Sequence, residues 1–398
     1  MRLYMKVLGL LFVLLMVLSG VSAEVAPSLE DAEGETEVLF QTGQVYLDDS
    51  NFTVDVDVKN RYEALDMALL ELDADHFEVI GNRSFIDRVE PNYRTEALLS
   101  DSNDQINSRP AWESNFTGEG VSVAVMDSGI ANHQYLEVSE QRDYTGEGVG
   151  DLNGHGTHVA GIIGSTQQNF RGVAYESELH DLKVLDESGR GRGDRLIRAI
   201  DYSIRNDIDV AVLSLGTELE RCNGNDAMSQ AVDTAVENGV VMVAAAGNTG
   251  PDSRTITSPG CSRQALTVGS VDKNDRMAHY SSRGPTSDGR VKPDVVAPGT
   301  NIGSTGLENS FIRRSGTSMA APQVAGQASL LISSGVDNQE VKPRIVNSAE
   351  DLGAEENAQG SGRVDVAESM RIDVEPLSAD SEQGSLFDFL KRLLWFLN

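Results

Sequence analysis

The chain has 398 residues, enough for one large domain with smaller additions, and its hydrophobic content of 39% excludes wholesale disorder. Its formal net charge is −30, which excludes polyanionic nucleic acid as a partner. The basic residues are 7 lysines against 25 arginines. A diffuse acidic surface poor in lysine is typical either of a protein from a salty habitat or of an ordinary acidic exoprotein.

The first 23 residues have the three parts of a secretory signal. Arg2 and Lys6 precede the apolar run "VLGLLFVLLMVL", and small residues at Val21-Ser22-Ala23 offer a cleavage site. A membrane anchor is the alternative, but the run is short for a span of ~20 residues. We therefore expect residues 1–23 to be a signal peptide and the protein to be secreted.

Residues 24–99 are predicted to form a separate small α+β domain. The spacing of apolar residues predicts one helix, where they recur with the helical period, and four strands, where apolar and polar residues alternate. In chain order these are strands 37–47 and 52–58, helix 61–72, and strands 76–81 and 84–91. The polar stretch 95–110 reads as an exposed linker that ends this domain.

From Gly118 onward, short apolar runs alternate with helical segments. The predicted strands are 121–127, 177–185, 209–215, 239–247 and 264–271, and the predicted helices are 158–165, 194–206, 227–239 and 318–334. Buried strands that alternate with helices predict the α/β class, with a doubly wound, mostly parallel sheet and helices on both faces. Active sites in such sheets lie at the carboxyl ends of the strands.

Two cysteines, Cys222 and Cys261, become candidates for one disulfide if the protein is exported. Closing a loop of about 40 residues would stabilise the fold by roughly 4 kcal/mol in the chain-entropy model. Two unpaired buried thiols are the alternative.

The segment "NGHGTHVAG" places His155 and His158 three residues apart, so both could reach one metal ion from a helix. A metal-dependent hydrolase of the H-E-x-x-H kind would need a glutamate base and a spacing of four residues. Here the intervening residues are Gly156 and Thr157, which argues against that site but does not assign the pair a role.

Three other polar residues stand where a site could form, although each has an ordinary alternative. Asp127 ends the strand "VSVAVMD" and could simply cap a turn. Ser318 begins the helix of "RSGTSMAAPQVAG", where small neighbours admit a substrate and helix amides can bind an oxyanion, but it could also be an N-cap. Asn248 follows a buried strand in a glycine-flanked turn.

Together these segments resemble the subtilisin-like serine proteases, the subtilase family. The order Asp127, His155, Asn248, Ser318 is that of the family, and the resemblance extends over about residues 110–370. The matching segments are "VAVMDSGI", "NGHGTHVAGIIG", "VLSLG", "VVMVAAAGN", "VGSVD", "SSRGP", "VKPDVVAPG" and "SGTSMAAPQVAG". The resemblance implies a subtilisin-like fold.

It also implies a serine endopeptidase that hydrolyses peptide bonds through an acyl-enzyme. Ser318 would be the nucleophile, His155 the general base, and Asp127 the group that orients and stabilises the imidazolium. The Asn248 side chain and the Ser318 backbone N–H would form the oxyanion hole. No cofactor is needed for this chemistry. The rival hypotheses are a non-catalytic binding protein on this scaffold and a metal-dependent hydrolase.

The substrates implied are proteins and extended peptides. Ser214, Leu215 and Gly216 resemble the edge strand that pairs with the substrate backbone, and Lys183, Val184 and Leu185 resemble the opposite wall of the cleft. Thr257 falls at the floor of the P1 pocket, which favours uncharged P1 side chains.

Residues 36–98 weakly resemble the subtilase propeptide, mainly through "FIDRVEPNYR". We therefore expect residues 24–99 to act as an intramolecular inhibitor that is removed by self-processing near Leu99. A permanent N-terminal domain is the alternative. The catalytic domain would then span residues 100–372.

The family's tightest calcium site does not match this chain, because Tyr135 stands where the acidic ligand would fall and the loop "STQQNFRG" is short. Asp272 is a weak candidate for another calcium site, or else a surface-turn aspartate. Structural calcium therefore stays open.

Residues 373–398 are predicted to form an acidic linker and an apolar tail. Its end, "SLFDFLKRLLWFLN", is too short to span a bilayer and would lie in a membrane interface or on the protease's own surface. We expect a monomer.

Overall fold

The structure is a computed structural model that describes residues 24–25, 35–42, 57–62, 67–73, 86–91 and 100–372. The chain divides into two compact units, with the boundary between Glu96 and Ala97. The predicted signal peptide and the apolar tail lie outside the described residues.

The described part of the first unit is a five-stranded sheet. Its strands are β1 (Glu24–Val25), β2 (Glu35–Thr42), β3 (Asp57–Tyr62), β4 (Met67–Asp73) and β5 (Ile86–Pro91). They are ordered β1-β5-β2-β4-β3, with β1 parallel to β5 and the other neighbours antiparallel. The strands predicted at 37–47 and 84–91 overlap β2 and β5, and the strand predicted at 76–81 lies outside the described residues.

The helix predicted over residues 61–72 is wrong, because this stretch contains the end of β3 and most of β4. In β4 the side chains of Ala68, Leu70 and Leu72 are buried, whereas Leu69 and Glu71 are partly exposed. That is the two-residue period of a strand with one covered face. Several leucines in a short window fit a helical period as well, and pairing with β2 and β3 decides between the two.

The second unit has the predicted α/β organisation. Its strands are β6 (Ser122–Asp127), β7 (Val138–Asp143), β8 (Glu178–Lys183), β9 (Val210–Leu213), β10 (Val241–Ala245), β11 (Leu266–Val271), β12 (Val295–Pro298), β13 (Ile302–Thr305) and β14 (Phe311–Arg314). Its helices are α1 (Ser100–Gln105), α2 (Arg109–Glu113), α3 (His155–Gly164), α4 (Gly193–Arg205), α5 (Ala227–Glu237), α6 (Thr317–Ser333), α7 (Asn338–Asn347), α8 (Glu356–Gln359) and α9 (Val366–Met370).

Strands β6 to β12 form one seven-stranded parallel sheet in the order β12-β11-β10-β9-β6-β8-β7. After β6 the chain first builds outward on one side, through β7 and β8, and then crosses to β9 and builds on the other. The direction of winding therefore reverses between β6 and β9. Open parallel sheets bind their ligands outside the carboxyl ends of the strands at such a reversal.

Each face of the sheet has its own hydrophobic core, and the side chains of β6 alternate between them. Val123 and Val125 pack with residues of α3 and α6, while Ala124 and Met126 pack with residues of α4 and α5. Burial on both faces explains why the strands read as continuous apolar runs. The predicted doubly wound sheet with helices on both faces is confirmed.

Cys222 and Cys261 are joined in a disulfide with Cα atoms 5.6 Å apart. In the described stretches, no helix has both the length and the apolar character that a bilayer crossing requires.

Candidate active site

The winding reversal brings the predicted functional residues to one edge of the sheet. Asp127 is the last residue of β6, and Ser214 directly follows β9. Asn248 lies three residues after β10, and His155 and Ser318 stand at the N-terminal ends of α3 and α6. Neighbouring parallel strands end at this edge, so residues far apart in the chain meet there.

Asp127 and His155 form a direct pair, with His155 Nδ1 2.8 Å from Asp127 Oδ1. The carboxylate is 1% exposed and the imidazole 22% exposed. Burial lowers the pKa of His155, but the charge of Asp127 and its hydrogen bond together raise it by more than burial lowers it. The pKa of His155 therefore lies above the ordinary 6.5. Because Nδ1 is engaged with the carboxylate, the imidazole has Nε2 available to accept a proton.

The sequence reasoning missed Asp151, whose carboxylate holds the start of α3. Its Oδ1 accepts hydrogen bonds from Ser128 Oγ and from the backbone N–H groups of Asn153 and Gly154, and its Oδ2 accepts from Thr157 N and Oγ1. An acid there satisfies helix amides that have no intrahelical partner. The sequence feature that could have pointed to Asp151 is its position four residues before His155.

Ser128 completes this support from the side of Asp127. Its hydroxyl accepts a hydrogen bond from Gly156 N at 2.9 Å, and its backbone N–H donates to Asp127 Oδ1 at 2.7 Å. The loop after β6 is thereby tied both to the carboxylate and to the first turn of α3. The two halves of the Asp127–His155 pair are held by one network.

His158 lies one turn beyond His155 and, among the described residues, belongs to no group of three or more His, Cys, Asp or Glu side chains that could hold a metal. It is fully buried, and its Nε2 donates to the carbonyl oxygens of Ile302 and Ile312, at 3.1 and 3.2 Å. Burial is the main cause that lowers its pKa to about 3, so the ring is neutral. His158 therefore ties α3 to the ribbon formed by β13 and β14.

Ser318 is the second residue of α6 and is 9% exposed. Its hydroxyl donates to the carbonyl oxygen of Ser214 at 3.1 Å, while Ser214 Oγ donates to the Ser318 carbonyl at 2.9 Å. Within residues 100–372 no hydrogen bond joins Ser318 to His155, although both line the same cavity.

Two donors near Ser318 are free to face an oxyanion. Asn248 Oδ1 accepts from Thr317 N at 2.8 Å and from Thr317 Oγ1 at 3.1 Å, which leaves the Nδ2 group as a donor. In the described chain, no side chain or carbonyl accepts the Ser318 backbone N–H. A side-chain amide and a helix N-terminal amide are the donor types that stabilise a developing oxyanion.

The cleft is a cavity of about 910 Å³ at this edge of the sheet. Its lining includes nine of the residues that the sequence singled out: His155, Val184, Leu185, Ser214, Leu215, Gly216, Asn248, Thr257 and Ser318. Ser214 is buried while Gly216 is exposed, so the segment after β9 runs from the core to the surface. A peptide could pair with it in an extended conformation.

Lys183 does not line this cavity. Its side chain is 1% exposed, and its Nζ donates to the Gly150 carbonyl at 3.1 Å and lies 3.4 Å from Glu147 Oε2. Lys183 therefore holds the loop that precedes α3, whereas its neighbours Val184 and Leu185 form the wall. The backbone N–H groups of these two neighbours both donate to the Asp127 carbonyl oxygen, at 2.8 and 3.0 Å.

Thr257 lies beside the segment after β9. A Cβ placed on Gly216 would stand 2.5 Å from Thr257 Oγ1, so the absence of a side chain at position 216 is what admits this contact. The Thr257 hydroxyl donates to the Ala246 carbonyl at 3.3 Å. This region of the cleft therefore presents a neutral, partly apolar surface.

Neither Tyr135, where the family's acidic calcium ligand would fall, nor the weak candidate Asp272 presents an unpaired carboxylate. Tyr135 packs against the rings of His133 and Phe311, with centroids 5.9 Å from each, so an aromatic cluster occupies that place. The Asp272 carboxylate is paired with Arg276, whose Nη2 is 2.7 Å away. Among the described residues, no group of three or more His, Cys, Asp or Glu side chains is arranged to hold a metal.

A family model and similar known proteins point to the same family. A model described as the subtilase family matches residues 118–362. The chain is 35% identical to the serine protease AprX of Bacillus subtilis (strain 168) over 73% of this chain and 76% of that protein. It is 36% identical to subtilisin BL of Lederbergia lenta, over 67% of this chain and 97% of that protein. It is 32% identical to an alkaline protease of Alkalihalobacillus alcalophilus, over 80% of this chain and 83% of that protein.

Proposed function

The chain belongs to the subtilase family of serine proteases, and from that premise we propose that it is a secreted endopeptidase with the triad Asp127, His155 and Ser318. The observation that carries the proposal is the 2.8 Å contact between Asp127 and His155 on the cavity that Ser318 also lines. The three groups come from three separate elements, and a nucleophile, a general base and an acid that orients the base are the roles that acyl transfer requires, which supports the proposal.

In the proposed reaction Ser318 Oγ attacks the scissile carbonyl carbon while His155 Nε2 takes the hydroxyl proton. The carbonyl oxygen becomes an oxyanion and accepts hydrogen bonds from Asn248 Nδ2 and the Ser318 N–H. His155 then gives its proton to the leaving amine, which breaks the C–N bond and leaves an acyl-enzyme. Water, deprotonated by His155, hydrolyses the ester and restores Ser318.

The substrate is proposed to be an extended segment of a protein or peptide. Its backbone would pair with Ser214 to Gly216 on one side and with Val184 and Leu185 on the other. The neutral surface at Thr257 supports a preference for uncharged P1 side chains. No cofactor is required, since side chains and backbone amides supply every proton and charge in the scheme.

We further propose that residues 24–99 are an inhibitory propeptide removed by the enzyme itself. The match to the alkaline protease covers 80% of this chain, about 318 residues, so it has to begin at or before about residue 81. The similarity therefore reaches into this region, which supports a shared precursor organisation. The boundary between units at Glu96 and Ala97 lies close to the proposed cut near Leu99.

Expression of the full chain and of Ser318→Ala in a host free of other proteases tests the proposal. Intact-mass measurement is expected to find the wild type shortened near Leu99 and the variant uncut. Loss of the N-terminal region in both proteins would contradict self-processing. Absence of hydrolysis of any peptide by the folded, shortened wild type would contradict the enzyme assignment.

Export is proposed from the signal-like N-terminus and is supported by the Cys222–Cys261 disulfide, since disulfides persist in oxidising compartments. The charge of −30 supports adaptation to high salt. Full activity and stability in dilute buffer would contradict that adaptation. The protein is proposed to be a monomer, and its apolar tail to contact a membrane surface or the protease itself.

The rival hypotheses make different predictions. A binding protein on this scaffold would bind peptides without cleaving them. A metal-dependent hydrolase would lose activity in chelator and take up no serine-directed label, whereas the proposed enzyme takes up the label at Ser318. Loss of activity in chelator alone does not separate the two, because a structural calcium ion would give the same result. The pairing of Asp272 with Arg276 supports the absence of a calcium requirement at that position.

A further inference from the structure

Arg314 has an unpartnered guanidinium close to the proposed catalytic centre. It is the last residue of β14, four positions before Ser318, and is half-buried. Its Nε is buried and makes no hydrogen bond with any described residue. The ion pairs of the described chain do not include it either, although an arginine withdrawn from water normally finds an acceptor.

The guanidinium lies beside the catalytic histidine. A Cβ placed on Gly154, the residue before His155, would stand 3.4 Å from Arg314 Nη2. Its charge acts to lower the pKa of His155, against the larger contribution of Asp127, and also lowers that of the neighbouring His158. Position and electrostatics agree that the cation faces the His155 region.

Arg314 lies outside the lining of the cavity that holds the acyl part of the substrate in the proposed reaction. The cavity that reaches Asn248, Thr257 and the segment after β9 is lined by His155, but neither Gly154 nor Arg314 belongs to its lining. That cavity holds the acyl part of the substrate in the proposed reaction. The leaving amine, which receives its proton from His155, departs on the other side of the scissile bond.

We propose that Arg314 binds a carboxylate of the leaving fragment, so that the enzyme favours peptides that carry a carboxylate close to the scissile bond on its leaving side. This inference rests on the proposed endopeptidase function. The carboxylate could be an Asp or Glu side chain at P1′ or P2′, or the C-terminus of a short leaving fragment. A guanidinium fork suits each of these, because it offers two parallel N–H donors to one carboxylate.

Because the domain is strongly acidic overall, a cation near the reacting atoms is important for the binding of an acidic leaving fragment. Residues 100–398 carry 43 acidic against 25 basic residues, so an acidic peptide is otherwise repelled by the domain that must bind it. One unpaired arginine beside the reacting atoms supplies the attraction where the leaving fragment lies. Since the site is partly open to solvent, the effect must weaken as salt rises.

Matched internally quenched peptides, cleaved by protein obtained from the full chain, test the inference. Each pair differs only by Asp against Asn at P1′, or at P2′, and a third pair differs by a free against an amidated C-terminus after P2′. For at least one pair we expect wild-type kcat/KM to favour the carboxylate by roughly fivefold at low salt, the upper range for an exposed ion pair. The preference should shrink toward unity in molar salt.

Arg314→Gln is expected to abolish the carboxylate preference, and Arg314→Lys to keep part of it. Arg313→Gln is the matched control, because Arg313 precedes it on the same strand, is exposed, and donates from Nη1 to the Asn301 carbonyl at 2.8 Å. The ratio within each peptide pair is the readout, so a general loss of activity does not disturb it.

A preference that persists in Arg314→Gln, or that disappears equally in Arg313→Gln, would overturn the inference. Wild-type protein that cleaves every pair equally at low salt would overturn it as well, while leaving the endopeptidase proposal intact. Protein that cleaves none of the peptides and reacts with no serine-directed reagent would instead contradict the proposed function itself.

Discussion

Gly156 lies so close to Gly129 that a Cβ at position 156 would stand 2.2 Å from the Gly129 carbonyl oxygen and 3.1 Å from the Asp127 Cβ. Real Cβ atoms do not approach backbone oxygen this closely. The first turn of α3 can therefore contact the loop after β6 because position 156 has no side chain. That contact brings His155 within 2.8 Å of Asp127.

Gly156→Ala is expected to push α3 away from the Asp127 loop and so to lower kcat/KM by at least about 100-fold, because small displacements of catalytic groups are costly. The melting temperature should fall too. Gly193→Ala is the matched control, since its Cβ would meet only the Met228 side chain, at 3.5 Å from Sδ and 3.6 Å from Cγ. Equal melting temperatures and equal rates for both variants would contradict this account of Gly156.

The pH dependence of kcat/KM should report the raised pKa of His155. Burial lowers this pKa, but the Asp127 charge and hydrogen bond raise it above 6.5. Only the neutral imidazole can accept the Ser318 proton, so activity should fall as pH drops through a midpoint above 6.5. Uncharged peptide substrates ensure that the acid limb of the pH–rate profile reports the enzyme and not the substrate. A midpoint well below pH 6.5 would contradict the prediction.

Asn248→Ala should lower kcat by about 10² to 10³ with little change in KM, a magnitude that comes from subtilisin itself. In the proposed reaction the amide donates to the oxyanion, which forms only after attack. Thr249→Ala is a suitable control, because its hydroxyl contacts Thr255 and Ser282 rather than the space above Ser318. A change confined to KM would place Asn248 in ground-state binding instead.

Asp181 should make the folded protein less stable as pH rises. This carboxyl is 0% exposed, and Oδ2 accepts from Ile130 N and Gln141 Nε2 while Oδ1 has no partner among the described residues. Burial, the largest cause, raises its pKa to about 7. The folded state therefore holds more protons than the unfolded state between about pH 4 and 7, and stability is lost through that window.

Asp181→Asn, made in a Ser318→Ala background to prevent self-digestion, should remove that part of the pH dependence. The wild-type carboxyl accounts for a loss of roughly 4 kcal/mol in the free energy of unfolding between pH 4 and 8. Asp252→Asn removes the same charge from an exposed position and should leave the slope unchanged. Parallel unfolding curves for both variants and the parent would refute the assignment.

The sheet and its long helices could be predicted because their sequence patterns are local. The helices α3 to α6 and the central strands have continuous apolar runs or clear periods. The sequence analysis did not predict strands β7, β12, β13 and β14. Strand β7 is mostly polar and none of its side chains is fully buried, and the other three have four residues each, too few to establish a period. The stretch 61–72 was assigned to the wrong class because its leucines fit both periods.

The triad residues could be proposed from sequence because each lies in a motif of recognisable order. The groups that support them could not, since their roles depend on contacts between distant segments. Asp151 acts through Ser128 and Thr157, and Lys183 turns away from the cleft toward Gly150. Arg314 is notable only because it finds no partner among the residues that the structure describes and lies beside His155.

Reaction with a serine-directed fluorophosphonate tests the central claim, that Ser318 is a nucleophile activated by His155, most directly. We expect one adduct per molecule, mapped to Ser318 by peptide mass spectrometry, with peptide hydrolysis lost in proportion to labelling. Ser318→Ala should take up no label, and His155→Ala should take it up far more slowly. Hydrolysis that persists in fully labelled protein, or an adduct on another residue, would contradict the account.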